Sequence, residues 1–234
     1  MSEVLLSVEA LEASYGDTRA LFGVSFEVGR GETLALIGAN SAGKSTLLKS
    51  ICGLVANKTG KITFKGEDII HLGAAAIVRR GVTLVPEGRR LFPSLSVEEN
   101  LLVGANVGRP GAWNLESVFA LFPALKERRD QPSSLLSGGQ QQMVAIARAL
   151  MSNPELILFD ELSLGLAPVV INDIYDMLPR ITLGGLTAIL VEQDVTRALA
   201  VASRFVCLQE GAVSLSGAPK DHSREAITNA YFGT

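Results

Sequence analysis

Residues 38–45 have the sequence Gly38-Ala39-Asn40-Ser41-Ala42-Gly43-Lys44-Ser45, which matches the pattern G-x-x-x-x-G-K-[ST]. A loop of this pattern binds the phosphates of a nucleotide through its backbone N–H groups. The apolar residues 34–37 before it predict a buried strand, and residues 46–53 after it predict a helix with one apolar face. Because the positive end of such a helix points at the loop, we expect an anion site here.

Each position of this loop is a candidate nucleotide contact. Lys44 is expected to reach the β- and γ-phosphates, and the Ser45 hydroxyl is expected to bind Mg²⁺. The predicted nucleotide-binding residues of the segment are Gly38, Ala39, Asn40, Ser41, Ala42, Gly43, Lys44, Ser45 and Thr46. The alternative is a glycine-containing turn before a core helix, and the strand–loop–helix setting disfavours it.

The composition limits the class of protein. A chain of 234 residues can form one α/β domain with a substantial core. Apolar residues make up 47% of it, but no apolar run approaches the roughly 18 residues that span a bilayer. The net charge of −3 argues against general nucleic-acid binding. Residues 1–10 carry two glutamates and no basic residue, so we expect no secretion signal and a cytoplasmic location.

Cysteine and histidine give no sign of a metal centre. Cys52 and Cys207 lie far apart with no C-x-x-C pattern, and we expect both to be buried reduced thiols. His71 and His222 lack the spacing of metal ligands.

Apolar periodicity predicts an alternation of strands and helices around a helical insertion. The predicted strands cover residues 4–10, 20–28, 34–37, 60–65, 82–85, 156–159, 186–191 and 205–208. The predicted helices cover residues 46–53, 74–80 and 195–202, with a further helix beginning at Pro168 and a short one within 218–234. Turns are predicted at residues 15–17 and 29–32. No internal repeat is visible. We therefore predict a single domain over residues 1–234.

The insertion covers about residues 96–152, between core segments 1–95 and 153–234. Ser96 and Glu99 have the spacing of a capping box, which predicts a helix start. Residues 108–112 interrupt the helical pattern, which resumes over 113–128, and a last helix is expected just after Gly138-Gly139.

Two carboxylates follow the apolar run 156–159. Asp160 is expected at the carboxyl edge of the sheet, where an aspartate supports Mg²⁺ in phosphate-loop enzymes. Glu161 directly after it is well placed to orient and deprotonate an attacking water. A helix-capping acid pair is the structural alternative.

A second anion site is predicted at Leu136-Ser137-Gly138-Gly139-Gln140, where a hydroxyl and exposed N–H groups open a helix. Two phosphate sites in one small chain suggest that two chains share each nucleotide. At this point the sequence resembles the ATP-binding cassette (ABC) ATPases, whose signature is LSGGQ. The resemblance covers essentially the whole chain.

The resemblance implies an α/β fold of the P-loop NTPase, ABC type, with an antiparallel β subdomain and an inserted helical subdomain. It implies ATP and Mg²⁺ as cofactors, and a signature (Ser137, Gly138, Gly139 and Gln140) that closes over the nucleotide of the other subunit. Tyr15 resembles the aromatic residue that stacks on adenine; an exposed turn tyrosine is the alternative. Ser45, Glu87 and Asp160 are the implied metal ligands, and Glu161, Gln193 and Glu87 the implied catalytic residues.

Several stretches are similar to one branch of that family, the ATPases of branched-chain amino-acid uptake systems and of related urea and amide importers. They are Val85-Pro86-Glu87-Gly88-Arg89-Arg90, Phe92-Pro93, Val97-Glu98-Glu99-Asn100-Leu101, Ser163-Leu164-Gly165-Leu166-Ala167-Pro168, Val191-Glu192-Gln193 and Ala230-Tyr231-Phe232-Gly233. The chain is most similar to the second of two paralogous ATPases that work as a pair.

Five residues depart from the wider family pattern. Glu87 replaces a glutamine, and its carboxylate remains a suitable oxygen ligand for Mg²⁺. Gln193 replaces the switch histidine, and its amide cannot accept and return a proton near neutral pH. Ala167 replaces an aspartate that links subunits, Leu162 a proline, and Ser41 a glycine that is free at positive φ. We expect a site built on Gln193 to hydrolyse ATP more slowly than its paired site.

The resemblance also implies partners: a paralogous ATPase or a second copy of this chain, membrane permease subunits, and indirectly an extracytoplasmic solute-binding protein. The permease would contact a groove near residues 87–92, with Phe92 and the pair Arg89-Arg90 as candidates, so the chain would lie at the cytoplasmic face of the inner membrane. Alternatives are a non-transport ABC ATPase, a phosphoryl transferase, or a subunit that binds ATP without turnover.

Overall fold

A computed structural model describes residues 3–233 as two sheets surrounded by helices. The strands are β1 (Val4–Tyr15), β2 (Thr18–Gly29), β3 (Thr33–Ile37), β4 (Asn57–Phe64), β5 (Glu67–Asp68), β6 (Val82–Val85), β7 (Leu156–Asp160), β8 (Thr187–Val191), β9 (Arg204–Gln209) and β10 (Ala212–Gly217). The helices are α1 (Lys44–Ile51), α2 (Ala74–Arg80), α3 (Val97–Ala105), α4 (Leu115–Leu121), α5 (Pro123–Lys126), α6 (Gly138–Leu150), α7 (Pro168–Thr182), α8 (Val195–Val201) and α9 (Arg224–Phe232). Within residues 3–233, none of the helices combines the length and apolarity needed to cross a bilayer.

The larger sheet has the strand order β10-β9-β3-β8-β7-β6, with every pair parallel except β10 and β9. β7 and β8 are buried along their whole length, as expected for parallel strands covered on both faces. Successive side chains of β7 enter different clusters: Leu156 and Leu158 pack on one face of the sheet, and Ile157 and Phe159 on the other. The carboxyl ends of β3, β6, β7 and β8 meet at one edge, where ligands bind in open α/β sheets.

The smaller sheet is antiparallel, with the order β2-β1-β4-β5. It shares a hydrophobic cluster with the larger sheet, in which Leu6 and Val24 belong to the antiparallel strands and Leu34 and Leu158 to the parallel ones. Leu47 of α1 is buried in the same cluster, so this helix lies between the two sheets. The antiparallel sheet thereby supports the loop that precedes α1.

The helices α3 to α6 lie between β6 and β7 in the chain. The capping box predicted at the start of α3 is confirmed: the Ser96 hydroxyl accepts a hydrogen bond from the Glu99 N–H at 3.1 Å, and the Glu99 carboxylate accepts one from the Ser96 N–H at 2.7 Å. Leu101 of α3 and Val144 of α6 are fully buried in a cluster that includes Phe159 of β7. Through this cluster the helices pack against the larger sheet.

The structure differs from the sequence-based prediction at several boundaries. The resumed helical stretch 113–128 is divided into α4 and α5 at Phe122, because Pro123 lacks the N–H that would continue the first helix. The helix α6 begins at Gly138 itself, two residues earlier than expected, because Ser137 supplies the cap. Strand β10 was missed, and β1 extends through Tyr15, leaving residues 16–17 as the turn.

Candidate functional site

The loop predicted to bind phosphates connects β3 to α1, as expected from its flanking residues. Gly43 precedes α1 with a φ of 99°, and a Cβ there would lie 2.8 Å from a methyl group of Leu21, so only glycine fits. Ser41 has a φ of 67°. The position that is glycine in related chains therefore does need the left-handed conformation, and here a serine adopts it.

Lys44 is the first residue of α1, and its side chain turns back into the loop. Its ammonium donates hydrogen bonds to the carbonyl oxygens of Gly38 at 2.7 Å and Ala39 at 2.9 Å. Burial lowers the pKa of Lys44, against the opposing influence of the Glu161 and Asp160 carboxylates. An anion bound in the loop would stabilise this buried charge.

Ser45 and Asp160 join the loop to the end of β7, although they are 115 residues apart in sequence. The Ser45 hydroxyl donates a hydrogen bond of 2.9 Å to the Asp160 carboxylate, which is buried. Burial raises the pKa of Asp160, and the nearby carboxylates of Glu161 and Glu87 raise it further, while Ser45 and Lys49 lower it. The buried Asp160 carboxylate and the Ser45 hydroxyl offer two oxygen donors of the kind that a hard cation binds, and Glu161 and Glu87 add negative charge nearby.

Glu161 and Gln193 lie at the ends of the neighbouring strands β7 and β8. The Gln193 amide donates a hydrogen bond of 2.9 Å to the Glu161 carboxylate. Glu161 has a φ of 52°, which is uncommon for a residue with a side chain. Such a conformation persists only where surrounding contacts hold it, and it frequently occurs at functional sites.

These groups surround a cleft of about 360 Å³ at the carboxyl edge of the larger sheet. Its lining residues are Ala20, Asn40, Ser41, Gly43, Lys44, Ser45, Thr46, Glu87, Glu161, Leu164 and Gln193. The structure thus brings together the predicted loop, the predicted base and the predicted switch residue. Ala20 and Leu164 were not predicted; Leu164 follows Glu161 by three residues, whereas nothing in the sequence marks Ala20.

The remaining predicted residues lie outside the lining of this cleft. Asp160 lies behind Ser45, and Gly38, Ala39 and Ala42 form the inner part of the loop. Tyr15 is the last residue of β1 and is half-exposed, at 51% of its surface. Its stacking on adenine stays a prediction.

The predicted second anion site opens α6. The Ser137 hydroxyl accepts from the Gln140 N–H at 3.3 Å, and the Gln140 side chain accepts from the Ser137 N–H at 3.0 Å. Ser137 is exposed, and none of the residues 137–140 lines the cleft of the same chain. Gly139 packs directly against Val170 of α7, where a Cβ would lie 2.4 Å from a methyl group.

The cysteines and the possible metal ligands can be compared with the sequence-based expectations. Cys52 and Cys207 are free and buried, as predicted. Over residues 3–233, no cluster of three or more His, Cys, Asp and Glu side chains is arranged to hold a metal ion. A cation at Ser45 and Asp160 would therefore need oxygen atoms from phosphate or water as well.

A phosphate-binding loop between a parallel strand and a helix, with carboxylates at the end of the adjoining strand, defines a P-loop nucleoside triphosphatase. The family model for ABC transporters matches residues 21–163. The chain is 44% identical to the high-affinity branched-chain amino acid transport ATP-binding protein BraG of Pseudomonas aeruginosa, over 98% of this chain and 100% of that protein.

Solved structures agree with this comparison. The ADP conformation of MJ1267, an ATP-binding cassette of an ABC transporter, superposes with a TM-score of 0.83 at 27% identity, covering 100% of both chains. A dimeric post-hydrolysis state of the cassette MJ0796, bound to ADP and Pi, gives a TM-score of 0.81 at 25% identity over 92% of this chain and 98% of that one. The chain belongs to the ABC transporter family and is an ATP-binding subunit with ATPase activity.

Proposed function

We propose that this chain hydrolyses MgATP at a site that a second ATPase subunit completes, and that hydrolysis drives uptake of branched-chain amino acids. The observation that carries the proposal is the Glu161 carboxylate, held by Gln193 at the mouth of the cleft that contains the phosphate loop. From this position it can orient a water molecule for attack on the γ-phosphate and accept its proton. Lys44 and the N–H groups of the loop would hold the β- and γ-phosphates.

Mg²⁺ fits the donor set of this site. Ser45, Asp160 and Glu87 would hold it, together with phosphate and water oxygens. The bound ion would neutralise charge that develops on the phosphate oxygens during transfer. Its charge would also favour the ionised form of Asp160, whose pKa is raised by burial first and by the neighbouring carboxylates second.

A second subunit is needed because residues 137–140 lie outside the cleft of their own chain. Ser137 is exposed at the start of a helix of 13 residues, and the N–H groups there favour an anion. The structure of MJ0796 bound to ADP and Pi is dimeric, which supports a pair of cassettes. In this proposal the pair places the start of α6 of one subunit over the nucleotide of the other. The partner is a second copy of this chain or a paralogue.

The proposed permease contact is the groove near residues 87–92. Residues 88–91 and Pro93 border a cleft of about 190 Å³ beside α6. The Arg148 guanidinium donates to the carbonyl oxygens of Arg90 at 2.8 Å and Arg89 at 3.1 Å, and it lies 5.8 Å from the ring centre of Phe92. Buried Asn100 holds the same segment through the Phe92 backbone. Phe92 is 48% exposed on this fixed backbone, so it is available to a cytoplasmic helix of a permease.

The substrate class follows from the name of the Pseudomonas aeruginosa relative, which matches nearly the full length of both proteins. In this proposal the chain lies at the cytoplasmic face of the membrane. The permease and a solute-binding protein select the amino acid.

Reconstitution with those partners and measurement of ATP-dependent leucine uptake tests the substrate, with urea and short amides as competing substrates.

The shared site is tested with Glu161→Gln, which removes the base and keeps the shape of the site. We expect its mass in solution to double with MgATP but not with MgADP, and the added change Ser137→Arg to abolish the doubling. Ser216→Arg, at an exposed position of β10, is the matched control. A monomer that binds ATP would require a paralogue, and loss of ATP binding would overturn the proposal.

A further inference from the structure

We propose that Glu192 is a positioning residue of the hydrolytic site: it clamps Ser163 and thereby fixes the backbone that carries Glu161. This inference rests on the proposed function of Glu161.

The contact between Glu192 and Ser163 is double. One carboxylate oxygen of Glu192 accepts a hydrogen bond from the Ser163 N–H at 3.2 Å, and the other accepts one from the Ser163 hydroxyl at 2.6 Å. Glu192 is fully buried. Because the N–H and the hydroxyl of Ser163 both donate to the same carboxylate, the orientation of Ser163 relative to the end of β8 is fixed.

The clamp is part of a series of contacts between the ends of β7 and β8. The Glu161 N–H donates to the carbonyl oxygen of Val191 at 3.0 Å, and the Gln193 amide donates to the Glu161 carboxylate at 2.9 Å. Three consecutive residues, 191–193, therefore hold Glu161 and Ser163. Between these two, the side chain of Leu162 is buried, so the segment is fixed on both sides.

The conformation of Glu161 explains why such a clamp is needed. Its φ of 52° is disfavoured for any residue with a Cβ, and the segment would relax toward a common conformation if its contacts were lost. Relaxation would rotate the Glu161 carboxylate away from the phosphate loop. The clamp is placed two residues beyond the strained position, where it can prevent that rotation.

Burial of Glu192 is unfavourable by itself, which separates this residue from ordinary core packing. Burial raises the pKa of Glu192, the hydrogen bonds from Ser163 lower it, and the charge of Glu161 raises it. An apolar side chain would avoid this desolvation. A carboxylate is the group that can accept both hydrogen bonds of Ser163, so its role is to fix geometry.

The position of the clamp predicts a separation of kinetic effects. Neither Glu192 nor Ser163 lines the nucleotide cleft, whereas Glu161 does. Loss of the clamp should therefore lower kcat while the KM for ATP stays the same. Because a loss of global stability lowers the apparent kcat only through the fraction of folded protein, kcat is expressed per folded subunit.

The test uses the full chain assembled with its transport partners and four variants: Glu192→Ala, Glu192→Gln, Ser163→Ala and Ser163→Thr. We expect at least about a tenfold lower kcat for Glu192→Ala, because the loss of one hydrogen bond to a charged group already accounts for that factor. The KM should change less than about twofold on this scale. Glu192→Gln can still accept a hydrogen bond from the Ser163 N–H, so its kcat should lie between those of wild type and Glu192→Ala. Ser163→Thr keeps the hydroxyl and should retain the kcat that Ser163→Ala loses.

Ser152→Ala is the matched control, because Ser152 is a buried serine whose hydroxyl bonds to Thr83 and Ala149 away from the cleft. It should lose stability without the kinetic change. A folded Glu192→Ala with normal kcat, or one in which kcat and KM change together, would overturn the clamp.

A second measurement does not depend on turnover. Amide hydrogen exchange in the nucleotide-free chain should show lower protection over residues 161–166 in Glu192→Ala than in Ser152→Ala. Equal protection in the two variants would refute the clamp. If wild-type protein shows this protection but has no ATPase activity with its partners, the proposed function is wrong. The contact between Glu192 and Ser163 would then still fix residues 161–166, without a role in hydrolysis.

Discussion

The Gln193 amide and the Glu161 carboxylate form a hydrogen bond of 2.9 Å across the ends of two adjacent parallel strands. A histidine at this position could exchange a proton with the carboxylate near neutral pH, but an amide can only donate. The contact therefore holds Glu161 in place without changing its charge. This relationship gives the hydrolytic site a fixed geometry and removes one titrating group from it.

Replacement of Gln193 by histidine should introduce a pH dependence. The glutamine does not titrate, so position 193 should add no inflection to wild-type kcat between pH 6 and 8. In Gln193→His the imidazole should titrate with a pKa of about 6.5 or above, because the Glu161 carboxylate favours its charged form. The pH profile of kcat checks this; two superimposable profiles would show that residue 193 does not act on the reacting groups.

Lys44→Ala should abolish nucleotide binding. The change removes the buried charge and leaves the carbonyl oxygens of Gly38 and Ala39 without their donor. We expect Kd for ATP to rise by at least about 100-fold, or roughly 2.7 kcal/mol. Titration with a fluorescent ATP analogue measures the change. The control is Lys49→Ala, in the last turn of the same helix, which should bind within a few-fold of wild type.

Ser41→Gly should stabilise the protein. Ser41 has a φ of 67°, where a Cβ is unfavourable and glycine is not. The expected gain in the free energy of unfolding is about 0.5–1 kcal/mol, since the greater freedom of glycine in the unfolded chain offsets part of the relief. Urea unfolding checks the sign. Ser216→Gly within β10 should lower the free energy of unfolding, because Ser216 has an extended backbone and no strain that glycine would relieve.

Glu155 should contribute stability that depends on pH. Its carboxylate accepts hydrogen bonds from Lys65 and Arg109 at 2.9 Å each and from Arg30 at 3.3 Å, joining the antiparallel sheet, the helical insertion and the start of β7. Partial burial raises the pKa of Glu155, but the three cations outweigh it, so the pKa lies below the ordinary value of 4.5.

A lowered pKa in the folded state means that the stabilisation is complete above pH 4.5 and is lost as pH falls through the lowered pKa. Glu155→Gln should therefore be less stable than wild type at pH 7, by up to about 1 kcal/mol for partly exposed ion pairs. The two unfolding curves should converge at acid pH. A difference that stays constant across this range would show that the ion pairs contribute nothing.

Short-range features were predicted correctly because their physical cause lies within a few residues. The Ser96–Glu99 capping box, the helix start at Pro168 and the strand–loop–helix order around residues 38–45 are all confirmed. Boundaries were less accurate where the pattern was weak. β10 was missed because it is a short edge strand with none of its residues fully buried, and a register irregularity between Val213 and Leu215 interrupts its apolar pattern.

The sequence by itself determined the chemistry of the site: the spacing of the phosphate loop, the acid pair after an apolar strand, and a serine that caps a helix beginning with two glycines. Those features depend on neighbours in the chain. The tertiary structure decided which groups meet. Ser45 bonds to Asp160 across 115 positions, Gln193 to Glu161 across 32, and Glu192 to Ser163 across 29. Parallel pairing brings the carboxyl ends of distant strands to one edge of the sheet, and no pattern within a single segment encodes that register.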